Sequence, residues 1–357
     1  MEITTGPAQD TPDPPPASTG HPLGRISIRR PSASATIWIA TLALFLVSAG
    51  VQPQSLSFGS LAGMLPFAAI LAVVAAGQTL IIQQAGIDLS VPGMISLGVV
   101  MLTRIPNGDE SKLPVALGLC GVALVGAGLL SGLIVNRIGI TPIVTTLGMN
   151  AMLFGAVIFI SGGTPRDTTA LLQGLVTDTF LGLGHVVWIA LLVIVLVDVL
   201  VKRTVQGRRF EAVGANRAAA RAAGFPSVRY EIGAYAGAGL LYFVGSILLA
   251  GVVKTPSAFQ GNNYLLPSVA AVVLGGTSLL GGAGSVIATA GGALFLTQLQ
   301  QLLRTTDLNA GVVLIVQALA IAVGVGVNSI RGAVLWGGIF GSTPKPRIGR
   351  EGQNISG

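Results

Sequence analysis

Long uncharged apolar stretches separated by short charged or polar segments make up most of the chain. A helix that crosses a membrane needs about 20 apolar residues and tolerates few charges, so charged residues mark the limits of candidate spans. The stretch between Arg30 and Asp88 is long enough for two helices, divided at the polar residues 52–55. The stretch 255–303 must also fold back, near the glycines of 281–285. The other predicted spans are 89–103, 113–136, 138–165, 179–197, 232–253 and 308–330. The pattern predicts an all-α polytopic membrane protein of about ten transmembrane helices.

The distribution of Lys and Arg orients these helices. With a cytoplasmic N-terminus, fifteen of the 20 Lys and Arg residues fall on the cytoplasmic side, where such residues accumulate. The other five fall outside: Arg104, Lys112, Arg166, Lys254 and Arg304. The run 89–103 is short and could be re-entrant, but the seven Lys and Arg of the loop 202–229 would then lie outside. We therefore predict that 89–103 crosses the membrane and that both termini are cytoplasmic.

Composition agrees with a lipid environment. Hydrophobic residues make up 52% of the chain and charged residues 9%, with a mean hydropathy of +0.79. The net charge of +7 does not indicate nucleic-acid binding, because the basic residues lie between apolar runs.

Residues 1–34 are rich in Pro and polar residues and predict a disordered cytoplasmic tail. Residues 35–330 form the predicted transmembrane domain, and 331–357 a second cytoplasmic tail.

Two regions interrupt the apolar sequence with Gly and small polar residues. The first comprises 77–79 and 86–93, and the second 275–278 and 281–285. Paired interruptions in the two halves of a chain are typical of transporters with discontinuous helices in an internally repeated core. Close helix packing is the alternative explanation for any single glycine. Asp88 and Ser90 precede Pro92, which also fits the start of a helix.

These regions supply the candidate residues for a transport pathway. The polar or flexible candidates are Gln78, Thr79, Asp88, Ser90, Asn150, Gly276, Thr277 and Ser278. An acidic residue within a membrane is costly, so it is a candidate functional residue. Asp is also a preferred residue at the start of a helix, which gives Asp88 a structural alternative.

The loop 202–229 contains an Ala- and Arg-rich segment, 216–223, that favours a helix. Gly214 precedes it, Gly224 follows at a position that ends helices, and Pro226 comes just beyond. A helix this short is marginal alone in water, so it needs a surface to dock against. The sequence leaves two surfaces open: anionic lipid or a partner protein.

Several chemistries are missing from the sequence. No Lys follows a Gly, so there is no P-loop, and neither H-E-x-x-H nor G-x-S-x-G occurs. The two His lie far apart, at positions 21 and 185. We therefore expect a transport subunit that is not an enzyme, holds no cofactor or metal, and receives its energy from outside the chain.

Four motifs resemble the permease subunits of ABC-type importers for simple sugars, in the ribose, xylose and galactose branch. They are GQT…GIDLSV (77–91), NRI..TPIVTTLG (136–148), GRRFEAVG.N (207–216), and AAVVLGGTSL.GG.GS (270–285). They occur in family order across residues 36–330. The chain departs from the family pattern at Pro92 and at Gln83-Gln84, where a Thr/Gly pair is usual.

The resemblance implies fold, partners and mechanism. Two permease subunits, identical or related, would enclose the pathway in the bacterial inner membrane. A periplasmic binding protein would deliver a monosaccharide or similar polar solute. A separate cytoplasmic ATPase would bind ATP and drive alternating access. The resemblance assigns contact with that ATPase to the loop residues Glu211, Gly214, Asn216, Ala219, Ala220 and Gly224.

Two other classes remain open. A stand-alone channel or ion-coupled carrier would show flux without ATP that depends on Asp88. An intramembrane enzyme would need a nucleophile–base pair, which is not visible in the sequence.

Overall fold

The structure is a computed structural model that describes residues 33–306 and a few scattered positions between 309 and 326. The tails 1–32 and 331–357 lie outside the described residues, and so does most of the predicted span 308–330. Positions 33 and 34, which we assigned to the tail, already belong to the first helix. The α-helices of the described part are α1 (Ala33–Val51), α2 (Phe58–Gln83), α3 (Val91–Arg104), α4 (Leu113–Leu133), α5 (Pro142–Ser161), α6 (Ala170–Thr177), α7 (His185–Arg203), α8 (Val205–Ala215), α9 (Arg217–Ala222), α10 (Ser227–Val252), α11 (Leu265–Leu274) and α12 (Val286–Arg304).

The described part contains six helices long and apolar enough to cross a membrane, namely α2, α4, α5, α7, α10 and α12. The apolar helix α3 is shorter, and so is α1 when only its residues Ala35–Val51 are counted. The prediction of a mostly helical protein with several spans is therefore confirmed. Between α1 and α2 the chain breaks at a 3₁₀ turn, Pro53–Leu56, as the polar residues there predicted.

The centre of the bundle is formed by α2 and α10. In its most apolar window α2 is 72% buried, against 22% for α7. Glycines allow this close packing, and a Cβ added to Gly77 would lie 2.7 Å from the ring of Tyr242. Because α2 is helical without interruption through 77–79, the prediction of a break there was wrong. Gly77 serves helix packing instead.

The connecting segments gather at two faces, which we call the loop face and the opposite face. At the loop face, residues 204–226 lie against the end of α2, where the Gln84 amide donates to the Phe210 carbonyl. At the opposite face, Gln52 hydrogen-bonds to Thr305, and Thr168 to Lys254. The predicted topology places these two groups of segments on opposite sides of the membrane.

Helices α3 and α5 run parallel, side by side. Hydrogen bonds join Leu89 to Thr146 and Gly93 to Asn150, and further along Arg104 donates to the Ser161 carbonyl, always at a separation of 57 residues. Thus α3, about 21 Å long at 1.5 Å per residue, accompanies most of a helix that is long enough to cross. This register favours crossing by α3 over a re-entrant course.

The stretch 255–303 departs from the prediction of two full spans. Helix α11 has 10 residues, about 15 Å, which is half the thickness of the hydrocarbon core. The irregular segment before it reaches the interior, because the Gly261 amide donates to the Ser96 hydroxyl on α3 and Phe259 stacks edge-on against Phe154 of α5. Uncharged composition alone did not distinguish this buried irregular chain from helix.

Two further boundaries were predicted wrongly. The span predicted at 179–197 begins only at His185, because a hairpin of two-residue strands (Thr179–Phe180 and Leu183–Gly184) turns through positive φ at Leu181 and Gly182. The loop 202–229 contains two helices rather than one. The Thr204 hydroxyl accepts a hydrogen bond from the Gly207 amide and thereby caps the additional helix, α8.

Candidate functional site

Both breaks in the helices meet the loop face at one point, which we call the glycine junction (Gln83, Gly214, Gly281 and Gly282). The Gly282 amide donates to the Gln83 carbonyl over 2.8 Å. A Cβ on Gly214 would lie 1.9 Å from that same carbonyl oxygen, and one on Gly281 would lie 2.5 Å from the Gly214 carbonyl. The three segments touch backbone to backbone, so a displacement of one is resisted by the other two.

The second break is a compact turn built on 275–285. Gly276 adopts φ +82°, a left-handed conformation that favours glycine. The Ser278 amide donates to the Ala283 carbonyl over 3.0 Å, and the Ser278 hydroxyl accepts from the Leu280 amide. Gly276 and Ser278 therefore shape the turn, while Thr277 is buried within it.

The first break is narrower than predicted and comprises 84–90. Asp88 is buried, and one of its carboxylate oxygens accepts from both the amide and the hydroxyl of Ser90, at 2.8 and 2.6 Å. Ser90 thus donates to Asp88 rather than capping α3 with its own side chain. These contacts assign Asp88 a role in closing the turn, in line with the helix-start interpretation.

Asn150 and Thr79 link neighbouring helices. The Asn150 side-chain oxygen accepts from the Gly93 amide over 2.8 Å, which satisfies a free donor in the first turn of α3. The Thr79 hydroxyl lies 2.9 Å from the hydroxyl of Thr289, joining α2 to α12. Both side chains have structural partners in this conformation.

Several buried side chains at or near the breaks carry polar atoms without a hydrogen-bond partner. They include the amide nitrogen of Gln78, both amide atoms of Gln83, the side-chain oxygen of Gln84, and the hydroxyl of Thr277. Gln83 and Thr277 are neighbours, since a Cβ on Gly284 would lie 2.8 Å from the Gln83 amide nitrogen and 2.9 Å from the Thr277 methyl carbon. Buried polar atoms normally have partners, so these atoms are candidates to bind water or a polar solute. Gln83 was not among the predicted pathway residues, although its departure from the family pattern was a signal for it.

The short loop helix has the ends that its sequence predicted. The Asn216 side chain caps α9 by accepting from the Ala219 amide. At the other end Gly224, at φ +81°, and Phe225 donate to the carbonyls of Arg221 and Ala220. This is the Schellman arrangement that closes helices with a glycine.

The predicted ATPase-contact residues divide into two groups. Asn216, Ala219 and Gly224 are exposed, whereas Gly214 and Ala220 are buried. Glu211 forms an ion pair with Lys202, which ties α8 to the end of α7. Exposed residues are the ones available to a partner, so Gly214 and Ala220 contribute by packing.

At the opposite face three basic residues surround a shallow depression. Its lining residues are Arg104, Ile105, Asn107, Lys112, Ile160 and Arg166. Lys112 lies 3.2 Å from Asp109. The Ser111 hydroxyl and then Lys112 lower the pKa of Asp109 below its usual value, so this carboxylate stays ionised beside the basic residues. Among the described residues, His, Cys, Asp and Glu form no group of three that could hold a metal ion.

Apolar spans with two breaks in corresponding places are typical of membrane transport proteins. The chain belongs to the family described as the branched-chain amino acid transport system/permease component, whose model matches residues 60–306. The predictions of an ABC-importer permease and of a multi-pass protein of the bacterial inner membrane are thereby confirmed.

Curated relatives agree with this family. The chain is 31% identical over 297 residues to the ribose import permease protein of Escherichia coli K12, covering 82% of this chain and 92% of the relative. It is 32% identical over 260 residues to the fructose import permease protein of Bifidobacterium longum, covering 71% and 72%. It is also 32% identical over 270 residues to the autoinducer 2 import system permease protein of Salmonella paratyphi B, covering 75% and 78%. No solved structure gives a significant match.

Proposed function

We propose that this chain moves a monosaccharide or similar polar solute inward, driven by a separate ATPase that docks on the loop face. The observation that carries this proposal is the glycine junction, because it connects the loop to both helix breaks through direct backbone contacts. Relatives named for ribose, fructose and autoinducer 2 import support the class of solute. The chain itself then needs no cofactor and no catalytic residues.

The loop face is cytoplasmic in this proposal. Its docking surface is the exposed side of α9, including Ala219 and Ala222, with the Gly224 turn beyond it. The unpartnered atoms of Gln83 and Thr277 lie beside the junction, at the cytoplasmic end of the pathway. Motion of α9 would therefore act directly on the residues that can hydrogen-bond to a solute.

The opposite face is periplasmic in this proposal and receives the binding protein. The basic depression around Arg104, Lys112 and Arg166 suits an acidic surface on that partner. Charge complementarity of this kind mainly accelerates association and fixes orientation.

A second permease subunit completes the pathway. Helix α5 carries Asn150 on its inner side, and its outer side exposes Gly148 and Gly155, with no atom within 4 Å of an added Cβ. Small residues on a lipid-facing helix allow another helix to approach closely. We therefore place the second subunit, identical or related, against α5.

Proteoliposomes test the proposed function. They would contain this chain and its ATPase subunit, with the binding protein outside, ATP inside and radiolabelled ribose or fructose as probes. We expect ATP-dependent accumulation of at least one sugar, and none when the ATPase is omitted. Accumulation by the chain alone, or flux without ATP that depends on Asp88, would instead support a carrier or channel.

A further inference from the structure

Arg217, the first residue of α9, joins the docking helix to two spans at once. Its Nη2 donates to the Gln84 carbonyl over 2.7 Å, and its Nε lies 3.2 Å from Oε1 of Glu231. Gln84 directly follows α2, and Glu231 lies near the start of α10. One side chain therefore connects the docking helix to the two central helices of the bundle.

The ion pair with Glu231 is firmly placed. The Glu231 side chain is 5% exposed and that of Arg217 is 42% exposed. A buried carboxylate left without its partner carries a large penalty, so the pair resists separation. The planar guanidinium offers several donors at fixed angles, which suits it to hold two acceptors in one geometry.

Gln84 adds a second connection between the same parts of the molecule. Its side-chain nitrogen donates to the Phe210 carbonyl of α8 over 2.9 Å, while its own carbonyl accepts from Arg217 of α9. The end of α2 is thus held by both loop helices. Gln84 also belongs to the Gln83-Gln84 pair at which the chain departs from the pattern of the family that it resembles.

We propose that Arg217 and Gln84 form a rigid bracket that transmits movement of α9 to the helix breaks. This proposal rests on the proposed function, in which an ATPase moves α9. A six-residue helix has little stability of its own. Without the bracket, α9 would shift against α2, and its displacement would be absorbed inside the loop. Arg217 is then a positioning residue, and its role is to couple two events rather than to bind solute or nucleotide.

The test is the Arg217→Ala variant in the complete transporter, reconstituted with ATPase and binding protein. Solute moved per ATP hydrolysed is measured together with co-purification of the ATPase. We expect co-purification and ATP hydrolysis to stay within about twofold of wild type, while solute moved per ATP falls about tenfold, a coupling loss of ordinary size.

Gln84→Ala, which removes the bond to Phe210, should also lower the amount of solute moved per ATP. Arg137→Ala removes an exposed cation of the loop face outside the docking loop and serves as the matched control.

A second variant separates coupling from folding. Arg217→Ala leaves the buried Glu231 charge unpaired, whereas the double variant Arg217→Ala with Glu231→Gln removes that charge as well. We expect the double variant to recover protein stability but not solute moved per ATP.

If the double variant moved as much solute per ATP as wild type, the proposed role of Arg217 and Gln84 would be contradicted. A parallel fall of uptake and ATP hydrolysis in Arg217→Ala would also contradict it, since that pattern indicates a purely structural role. A wild-type complex that hydrolyses ATP but moves no solute would contradict the proposed function instead.

Discussion

At the scale of single residues, the glycine junction brings three glycines into close contact with one another's segments and with the end of α2. Gly214, Gly281 and Gly282 each face backbone atoms of another segment at distances where no Cβ fits. Backbone cannot move aside as a flexible side chain can, so a substitution must shift a whole segment.

Gly214→Ala should therefore destabilise the protein by about 1–3 kcal/mol, the usual range for overpacking. The added Cβ would lie 1.9 Å from the Gln83 carbonyl oxygen and 3.0 Å from the Gly282 nitrogen. Thermal unfolding in detergent measures the effect. Gly233→Ala is the control, because Gly233 lies in α10 with nothing within 4 Å, and alanine there should be neutral or slightly stabilising. Equal unfolding temperatures for the two variants would contradict the close contact.

Gln83→Met separates a pathway role from a packing role. Both amide atoms of Gln83 are buried without partners, so replacing the amide by an apolar side chain of similar size should leave stability unchanged or raise it. If Gln83 binds solute, the apparent affinity for the sugar should fall by about fivefold to tenfold, the value of one lost hydrogen bond. Uptake kinetics and thermal unfolding give the two readouts, with Ile82→Met as the neighbouring buried control. Higher stability with unchanged uptake would remove Gln83 from the pathway.

At the scale of helices, the exposed side of α5 leads to a prediction about assembly. Gly148→Leu and Gly155→Leu should weaken association of two permease subunits, because a large side chain keeps a second helix at a distance. Gly126→Leu on α4 is the control, since Gly126 also has nothing within 4 Å. Light scattering of the purified protein in detergent gives the oligomeric state. Dissociation caused by the α4 variant alone would place the interface elsewhere.

The sequence predicted helices well where charges or Pro bracket them, as for α1, α4, α5 and α10. It failed where uncharged chain is irregular, because burial inside protein satisfies backbone groups that lipid would leave unpaired. The segment before α11 is the main example.

The site shows the same division. The sequence predicted the short helix α9 from local chemistry, whereas the pathway role predicted for Thr277 stays a prediction. The bond from Arg217 to Gln84 spans 133 residues, and no local pattern encodes such a contact.

At the scale of the whole molecule, the proposed transport function requires the loop face to be cytoplasmic. Three basic residues lie around the depression of the opposite face, whereas the loop 202–229 carries seven. This excess of Lys and Arg favours the cytoplasmic side for the loop. An ATPase could then reach α9, while a binding protein could reach only the other face.

The most direct test is the sidedness of α9. In a Cys120→Ala background, Ala222→Cys would be exposed to a membrane-impermeant maleimide in right-side-out and in inverted vesicles, with the opposite-face variant Thr179→Cys as the reciprocal control. We predict labelling of Ala222→Cys in inverted vesicles alone and its protection by the bound ATPase. Labelling of this position from the outside, or full labelling in the presence of the ATPase, would contradict the account.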